Sequence, residues 1–524
     1  MHKKLALTPP MGWASWNLFR NNINENIIKE MAAAMKAAHL DELGYQYINV
    51  DDCWMSSVRD ENGRLQGDLG TFPSGIKALV EAVNSYGLKM GIYTSNGTLT
   101  CEDLPSSLYH ERTDAETFAE WGVEYFKYDF CHNIPIPSEA PNIEKIILSQ
   151  NGSSQYIEYK ADDAILSGNA KIKNDLSLPD GKYITGLSAN LGKCEWINVY
   201  ADNAGEYILT LCLRKMTNKD KYIEILINSD KRYKTTVPAT KSFTPEGRHQ
   251  VKIYLNKGTN TISLYNPVAS KQDSAAIQYT DMGEELKRAT KEYAEKNSTT
   301  EKHIVYSICE WGKNLPWRWG KKAGNLWRTT PDIRPVWNSV LGIYELNILL
   351  YKYAGPGGWN DPDMLEVGNG KLTYEENKSH FTLWCMMAAP LILGNDIRKF
   401  IKEDGSVDKE NDTYKIISNK ELIAIDQDKL GMQCRRVKTI GFADVLVKPL
   451  ENDEFALCFF NKSSKPSVME QSIKEIVYRP FVTTQYSKNY VAKDLWSGEE
   501  LIIDDILKAS VPSHGVKIYK VRKK

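Results

Sequence analysis

Two rhythms of apolar and polar positions run along the chain. In the first, short apolar runs end in polar or charged residues and alternate with helical stretches. These runs lie at 11–16, at 47–50 ahead of Asp51 and Asp52, at 88–93, and at 125–128 ahead of Asp129. Between them, Asn24 is placed to cap a helix with Ile27, Met31, Met35 and Ala38 on one face and Gly44 as its stop. Further helices are predicted at 75–86 and 115–121. Strands and helices alternating in this way predict parallel βα units.

The next strand of this kind comes only at 303–309. A structureless loop of that length inside a compact domain is implausible, so an inserted domain is expected. The intervening sequence shows the second rhythm, short alternating runs at 196–200, 206–212, 222–227, 251–255 and 260–265, separated by turn residues. That pattern predicts an antiparallel β-sandwich. A helix at 281–296 resumes the βα rhythm, and strands follow at 325–330, 353–358 and 390–393. Eight βα units make a (β/α)8 TIM barrel. From 431 the helical pattern stops, and runs at 444–448, 455–460 and 515–519 predict a C-terminal antiparallel β-sandwich. The expected domains are therefore a barrel from 1–133 and 276–430, a β-sandwich inserted at 134–275 after the fourth strand, and an all-β domain at 431–524.

Composition narrows the function. The 524 residues exceed what one core serves. Lys plus Arg number 66 against 67 Asp plus Glu, which opposes nucleic-acid binding. No run of about 18 apolar residues is present to span a membrane. Nine Cys with no C-x-x-C pair exclude a zinc ribbon or a dense disulfide scaffold. The basic Met1-His2-Lys3-Lys4 is followed by too short an apolar stretch for a signal peptide. The chain is then cytosolic or an exported protein without its signal, and a secreted or periplasmic location is favoured.

In such barrels the active site lies just past the strand ends. The acids there are Asp51, Asp52, Asp129, Glu310, Asp332, Asp361 and Asp363, with Lys127 and Arg328 among them. A single Asp after a strand is usually a turn former or helix cap; seven carboxylates at one barrel mouth point to chemistry. Clustered carboxylates serve either Mg²⁺ and phosphates or glycoside hydrolysis. The last strands carry no Gly-rich phosphate loop, and eight His are few for zinc. Trp13, Trp16, Trp54, Trp311 and Trp359 stand beside the acids in sequence, and aromatic faces suit a sugar ring. The residues alone indicate a carbohydrate enzyme.

Longer motifs go further: PPMGWASWN at 9–17, YINVDDCW at 47–54, TFPSGIKA at 71–78, WGVEYFKYDFC at 121–131, YSICEWG at 306–312, NLWRTTPDI at 325–333 and GGWNDPDML at 357–365. By these the chain resembles the retaining α-galactosidases of glycoside hydrolase family 27, especially plant-like members. The resemblance implies Asp129 as nucleophile and Asp332 as acid/base. It implies Asp51 and Asp52 on the galactose 4- and 6-hydroxyls, and Lys127 on the 3- and 4-hydroxyls. Trp16, Tyr93, Trp311, Asp363 and Met364 are implied sugar contacts. Arg328 and Glu310 are implied on the 2-hydroxyl side, where Glu310-Trp311 is the pattern for galactose rather than N-acetylgalactosamine. Retention sets the two carboxyls roughly 5–5.5 Å apart. Lys127 and Arg328 are expected to keep Asp129 ionised, and the pKa of Asp332 to be raised.

Departures from the pattern carry expectations too. Ala14 replaces the usual Asn. Asn21 stands where relatives have the Cys that pairs with the Cys of D-D-C-W, which leaves Cys53 an unpaired, buried thiol. Cys101 and Cys131 fall where the family forms a disulfide, and the other Cys read as core residues. The insert resembles carbohydrate-binding modules of the family 35/6 type through KADDAILSG at 160–168, GEYILTL at 205–211 and NKGTNTISL at 256–264. Such modules often hold structural calcium, for which Asp162 is the candidate ligand, a plain surface turn being the alternative. Trp196 and Tyr200 read either as sugar-cleft or as core residues. No cofactor is required, the partner is a carbohydrate, and the oligomeric state is left open. Three other functions stay in play: an α-N-acetylgalactosaminidase or other α-glycosidase, a non-catalytic sugar-binding protein, and a metal-dependent phosphosugar enzyme.

Overall fold

A computed structural model describes residues 5–150, 153–214, 219–239 and 246–524. The chain divides into two compact units, 1–134 with 278–524 and 135–277.

The first unit contains eight parallel strands: β1 (Met11–Ala14), β2 (Tyr47–Asn49), β3 (Lys89–Ser95), β4 (Tyr125–Asp129), β5 (Val305–Ile308), β6 (Leu326–Arg328), β7 (Trp359–Asp361) and β8 (Leu391–Leu393). They pair in the order β7-β6-β5-β4-β3-β2-β1-β8. No ladder joins β7 to β8 among the described residues. A single parallel bridge, Leu365 to Leu393, meets β8 just beyond β7, with Leu365 N donating to the Ile392 carbonyl at 2.8 Å. These strands form a (β/α)8 barrel. All four residues of β1 are buried, and every residue of β3 after Lys89 is buried, as expected of parallel strands covered on both sides.

The boundaries differ locally from the sequence expectations. Trp16 opens a one-turn helix, α1 (Trp16–Phe19), instead of ending β1. Asn24 does cap the helix Glu25–Ala37, its Oδ1 accepting from Ile27 N. Gly44, in the left-handed region at φ 107°, ends the short 3₁₀ turn Asp41–Leu43 rather than that helix. The seventh strand is Trp359–Asp361, not 353–358: Pro356 and three glycines make the earlier segment a turn. The helix expected at 281–296 runs from Lys271 to Asn297.

The same unit continues into a C-terminal all-β domain. A six-stranded sheet spans Arg435–Ile440 to Val516–Lys523, and Ser467–Ser472 pairs with Ile506–Val511. Phe455, Leu457 and Phe459 alternate into its core with Val445, Val447 and Tyr519.

The second unit holds two antiparallel sheets, of five and six strands. Ile223, Ile225, Ile262 and Leu264 from one sheet and Ile146, Leu209, Leu211 and Ile253 from the other belong to one buried core. Its ends lie side by side, Ile136 N donating to Ser274 Oγ at 2.8 Å.

Candidate active site

Lys127 and Asp129 are two residues apart on β4. The two-residue period of a strand therefore turns both to one side. Asp51 and Asp52 follow β2, Arg328 ends β6, and Asp363 follows β7. Lys127 Nζ donates to Asp51 Oδ2 at 2.9 Å and lies 5.2 Å above the Tyr93 ring. The other Asp51 oxygen accepts from Asp52 N, and Asp51 N donates to Ser15 Oγ. Asp52 accepts from Cys53 N at 2.7 Å and from Glu102 N at 3.1 Å. Cys53 makes that bond at φ 70°, a conformation unusual for a residue with a side chain.

Asp129 is 5% exposed. Its Oδ1 accepts from Phe130 N at 2.9 Å, and its carbonyl accepts from Tyr279 Oη at 2.7 Å. Beside it, Cys101 and Cys131 form a disulfide. Cys101 Sγ lies 3.7 Å from Asp129 Oδ2 and accepts from Tyr93 Oη at 3.4 Å. The bonded sulfur carries no proton, so its approach to Asp129 is a packing contact. The loop that carries Cys101 passes so close to the strand-four end that a Cβ on Gly97 would sit 1.9 Å from the Cys131 carbonyl oxygen.

Arg328 joins the second group. Its Nη2 lies 2.9 Å from both Asp332 Oδ1 and Asp363 Oδ2, and Nη1 donates to Cys309 Sγ at 3.6 Å. Arg328 Nε is buried without a protein partner. Asp363, at φ 88°, uses its remaining acceptor capacity on Met364 N and Ile333 N. It thus holds the loop next to Asp332 through Ile333 and through Arg328. A cavity of about 30 Å³ is lined by Asp51, Lys127, Cys309, Arg328, Asp363 and Met364, with other strand residues. A larger cleft, of about 160 Å³, lies where β5 and β6 begin. It is lined by Lys287, His303 and Lys321 among others, and none of the clustered carboxylates reaches it.

The electrostatics of the site reverse the expected order. Burial pushes the Asp129 carboxyl above its ordinary value, although Lys127 opposes this. Desolvation also raises Asp332, but the charge and hydrogen bond of Arg328 outweigh it and hold the group below its usual range. Asp332 keeps 72% of its side chain exposed. Burial pushes Asp52 up to about 6 despite the Cys53 N–H, with the Asp51 charge adding to the rise. Asp361 is likewise pushed up to about 6 by burial, against the pull of Arg328.

Glu310 does not meet Arg328. Its Oε2 accepts from Asn314 N at 2.7 Å and Asn314 Nδ2 at 3.0 Å, while Oε1 is buried without a partner. Burial pushes this carboxyl up to about 8. Trp311, at φ 57°, packs edge-on against Phe130. Of the five tryptophans near the acids in sequence, Trp13, Trp54 and Trp359 are 0% exposed core residues. Trp16 and Trp311 are partly exposed. Cys53 is an unpaired thiol but only half-buried, and the other free cysteines are all buried.

In the second unit Trp196 is a core residue, its indole N–H donating to the Lys160 carbonyl, while Tyr200 is 51% exposed. Asp162 Oδ2 pairs with Lys182 Nζ at 2.6 Å. One Asp so engaged does not fit a calcium site.

Several supporting residues escaped the sequence reading: Ser15 under Asp51, Asn314 under Glu310, Tyr279 under Asp129, and Glu366. Glu366 is buried and bonded to Asn17 and Asn369, and burial pushes it up to about 7. Only Ser15 had a signal, inside WASWN.

Residues 8–176 and 200–428 match the alpha galactosidase A family, and 441–521 match the alpha galactosidase C-terminal beta sandwich domain. The chain is 32% identical to the alpha-galactosidase of Cyamopsis tetragonoloba, over 98% of this chain and 86% of that one. It is 33% identical to the alpha-galactosidase of Coffea arabica, over 98% and 94%. The crystal structure of alpha-galactosidase I from Mortierella vinacea superposes with a TM-score of 0.68 at 25% identity, over 100% of this chain and 99% of that one. With strand-end carboxylates, barrel and C-terminal domain all in agreement, the chain belongs to the alpha-galactosidase family of glycoside hydrolase family 27.

Proposed function

We propose that the protein is a retaining, exo-acting α-galactosidase that removes terminal α-linked galactose from oligo- or polysaccharides by double displacement. The observation that supports this best is the gathering of the Lys127–Asp51 pair, Asp129 and the Arg328–Asp332 pair at one set of strand ends. In the first step an Asp129 oxygen attacks the anomeric carbon, the glycosidic C–O bond breaks, and Asp332 gives its proton to the leaving oxygen. In the second, Asp332 takes a proton from water, whose oxygen displaces Asp129 and releases α-galactose.

The first step needs Asp129 ionised and Asp332 protonated, the opposite of the tendencies that the protein groups alone impose. Substrate binding supplies the reversal. A sugar over the exposed Asp332 strips its water and raises its pKa. Sugar hydroxyls donating to Asp51 and Asp52 take up negative charge that otherwise opposes ionisation of Asp129. Asp51, Asp52 and Lys127 read the galactose 4-, 6- and 3-hydroxyls, and Trp16 and Tyr93 bound the ring. Trp311 and Met364 complete the contacts. Asp363 is better read as the holder of Arg328 and the Asp332 loop, since its oxygens are engaged. Glu310 shapes the 2-position by occupying volume behind Trp311. Catalysis rests on carboxylates and requires no cofactor. The two-sheet unit at 135–277 is an inserted β-sandwich akin to a carbohydrate-binding module.

Hydrolysis of aryl α-galactoside and aryl α-N-acetylgalactosaminide, with EDTA present, tests the reading. Turnover of the galactoside with α-galactose as first product by NMR is expected. First-formed β-galactose, or equal kcat/KM on both glycosides, would overturn it.

A further inference from the structure

We infer that Glu366 is a positioning residue that fixes the Trp16 helix against the loop carrying Asp363 and Met364. For what Trp16 touches, this rests on the α-galactosidase reading above. Helix α1 is a single turn. Its N-cap Ser15 makes no side-chain capping bond, and Arg20 leaves it at φ 48°. A single turn has little stability of its own. Among the described residues, Asn17 supplies the helix's one side-chain hydrogen bond to another element, Nδ2 to Glu366 Oε1 at 2.9 Å.

Glu366 is itself firmly held. It is 3% exposed. Its Oε2 accepts from Asn369 Nδ2 at 2.7 Å, and Asn369 also donates to the Gly394 carbonyl after β8. Glu366 N donates to His380 Nε2 at 2.9 Å. His380 is edge-on to Trp384, whose indole N–H donates to the Asp363 carbonyl at 2.8 Å. The buried carboxyl therefore ties α1 to Asn369 of the β7 loop, and Asn369 reaches the end of β8, while the Glu366 backbone N–H joins the same loop to the helix Tyr374–Met386. Asp363 and Arg20 are the charged groups that face the carboxyl, with His380 behind. None of these bonds is available to a substrate, so Glu366 acts through the placement of Trp16.

Full-length Glu366→Ala, Glu366→Gln and Asn17→Ala variants test this. With aryl α-galactoside, Glu366→Ala and Asn17→Ala should raise KM on the order of tenfold, the effect of one lost part-buried hydrogen bond to a carboxyl. We expect kcat to stay within about twofold. Glu366→Gln should recover most of the wild-type KM, because Asn17 can turn its amide and accept from the new N–H. The double variant should be no worse than either single one. Hydrogen exchange of peptides covering 16–20 should quicken on the order of tenfold in both alanine variants. Unchanged KM and unchanged exchange in Asn17→Ala would overturn the inference. So would Glu366→Gln as damaged as Glu366→Ala. If Glu366→Ala does not fold, the half-exposed Asn17 carries the test. A wild type without galactosidase activity would sink the functional reading, while the exchange measurement still judges the strut.

Discussion

Replacing Glu310 with Gln isolates a buried carboxyl whose folded-state pKa is raised. Glu310 is 0% exposed, its Oε1 has no partner, and its pKa is about 8 against an ordinary 4.5. A raised carboxyl favours the folded state fully only below its unfolded value. That contribution is lost as pH rises toward the folded value, because the unfolded chain releases the proton earlier. Between pH 5 and pH 7 this single group removes roughly 2–3 kcal/mol of stability. Gln keeps the shape and the acceptor for Asn314 but does not titrate. Its Nε2, in the place of Oε1, leaves a buried donor unpaired at a cost of ~1–3 kcal/mol that does not vary with pH. The slope is therefore the informative quantity, rather than the absolute stability. Asp52, Asp361 and Glu366 titrate in both proteins and cancel in the difference. Melting measured from pH 5 to 8 should fall less in Glu310→Gln than in the wild type, by a few degrees. Parallel curves would refute the claim that Glu310 is held protonated.

Other expectations concern the site directly. Asp129→Asn should abolish turnover while melting stays near that of the wild type, read by steady-state kinetics and circular dichroism. Asp332→Asn should lose most on alkyl galactosides and least on aryl galactosides with good leaving groups, which need little acid assistance. Below about pH 6 Asp52 becomes protonated, and KM should rise as its charge is lost; a KM flat from pH 7 to 4.5 would count against a role in binding. Glu310→Ser should open the 2-position and shift relative kcat/KM toward the N-acetylgalactosaminide, measured on paired aryl glycosides. Reducing Cys101–Cys131 frees the loop whose Glu102 N–H serves Asp52, so KM should rise under a dithiol and recover on reoxidation.

Much of this architecture is legible in the sequence. The βα rhythm located the barrel strands because parallel strands are continuous apolar runs closed by polar residues, and β2 and β4 kept their expected acids at their ends. The seventh strand was displaced because the apolar pair Tyr353 and Ala354 continues the short-run pattern, whereas the Pro356–Gly358 turn dominates locally. The reading of the tryptophans failed for another reason. Adjacency to an acid in sequence does not say which way an indole faces, and Trp13, Trp54 and Trp359 turn into the core with their N–H groups on backbone carbonyls. The charge balance of Asp129 and Asp332 was also illegible. Burial dominates the first and Arg328 the second, and both depend on three-dimensional neighbours. Asn314 and Glu366 gave no signal, since a supporting hydrogen bond leaves no pattern of spacing.

The join between β7 and β8 has a thermal consequence. Elsewhere in the sheet each strand is held to its neighbour by two or more paired residues, but here, among the described residues, one bridge, Leu365 to Leu393, spans the gap. The chain beside that bridge carries Asp363, Met364 and Glu366. Regions with few backbone bonds to a neighbour open at lower free energy than the whole fold. On warming, the barrel should therefore part first at this edge. Activity would then disappear at a temperature where the far strands, the C-terminal sheet and the bulk ellipticity are still intact. Brief cooling should restore it, since nothing beyond one short segment has to find its place again.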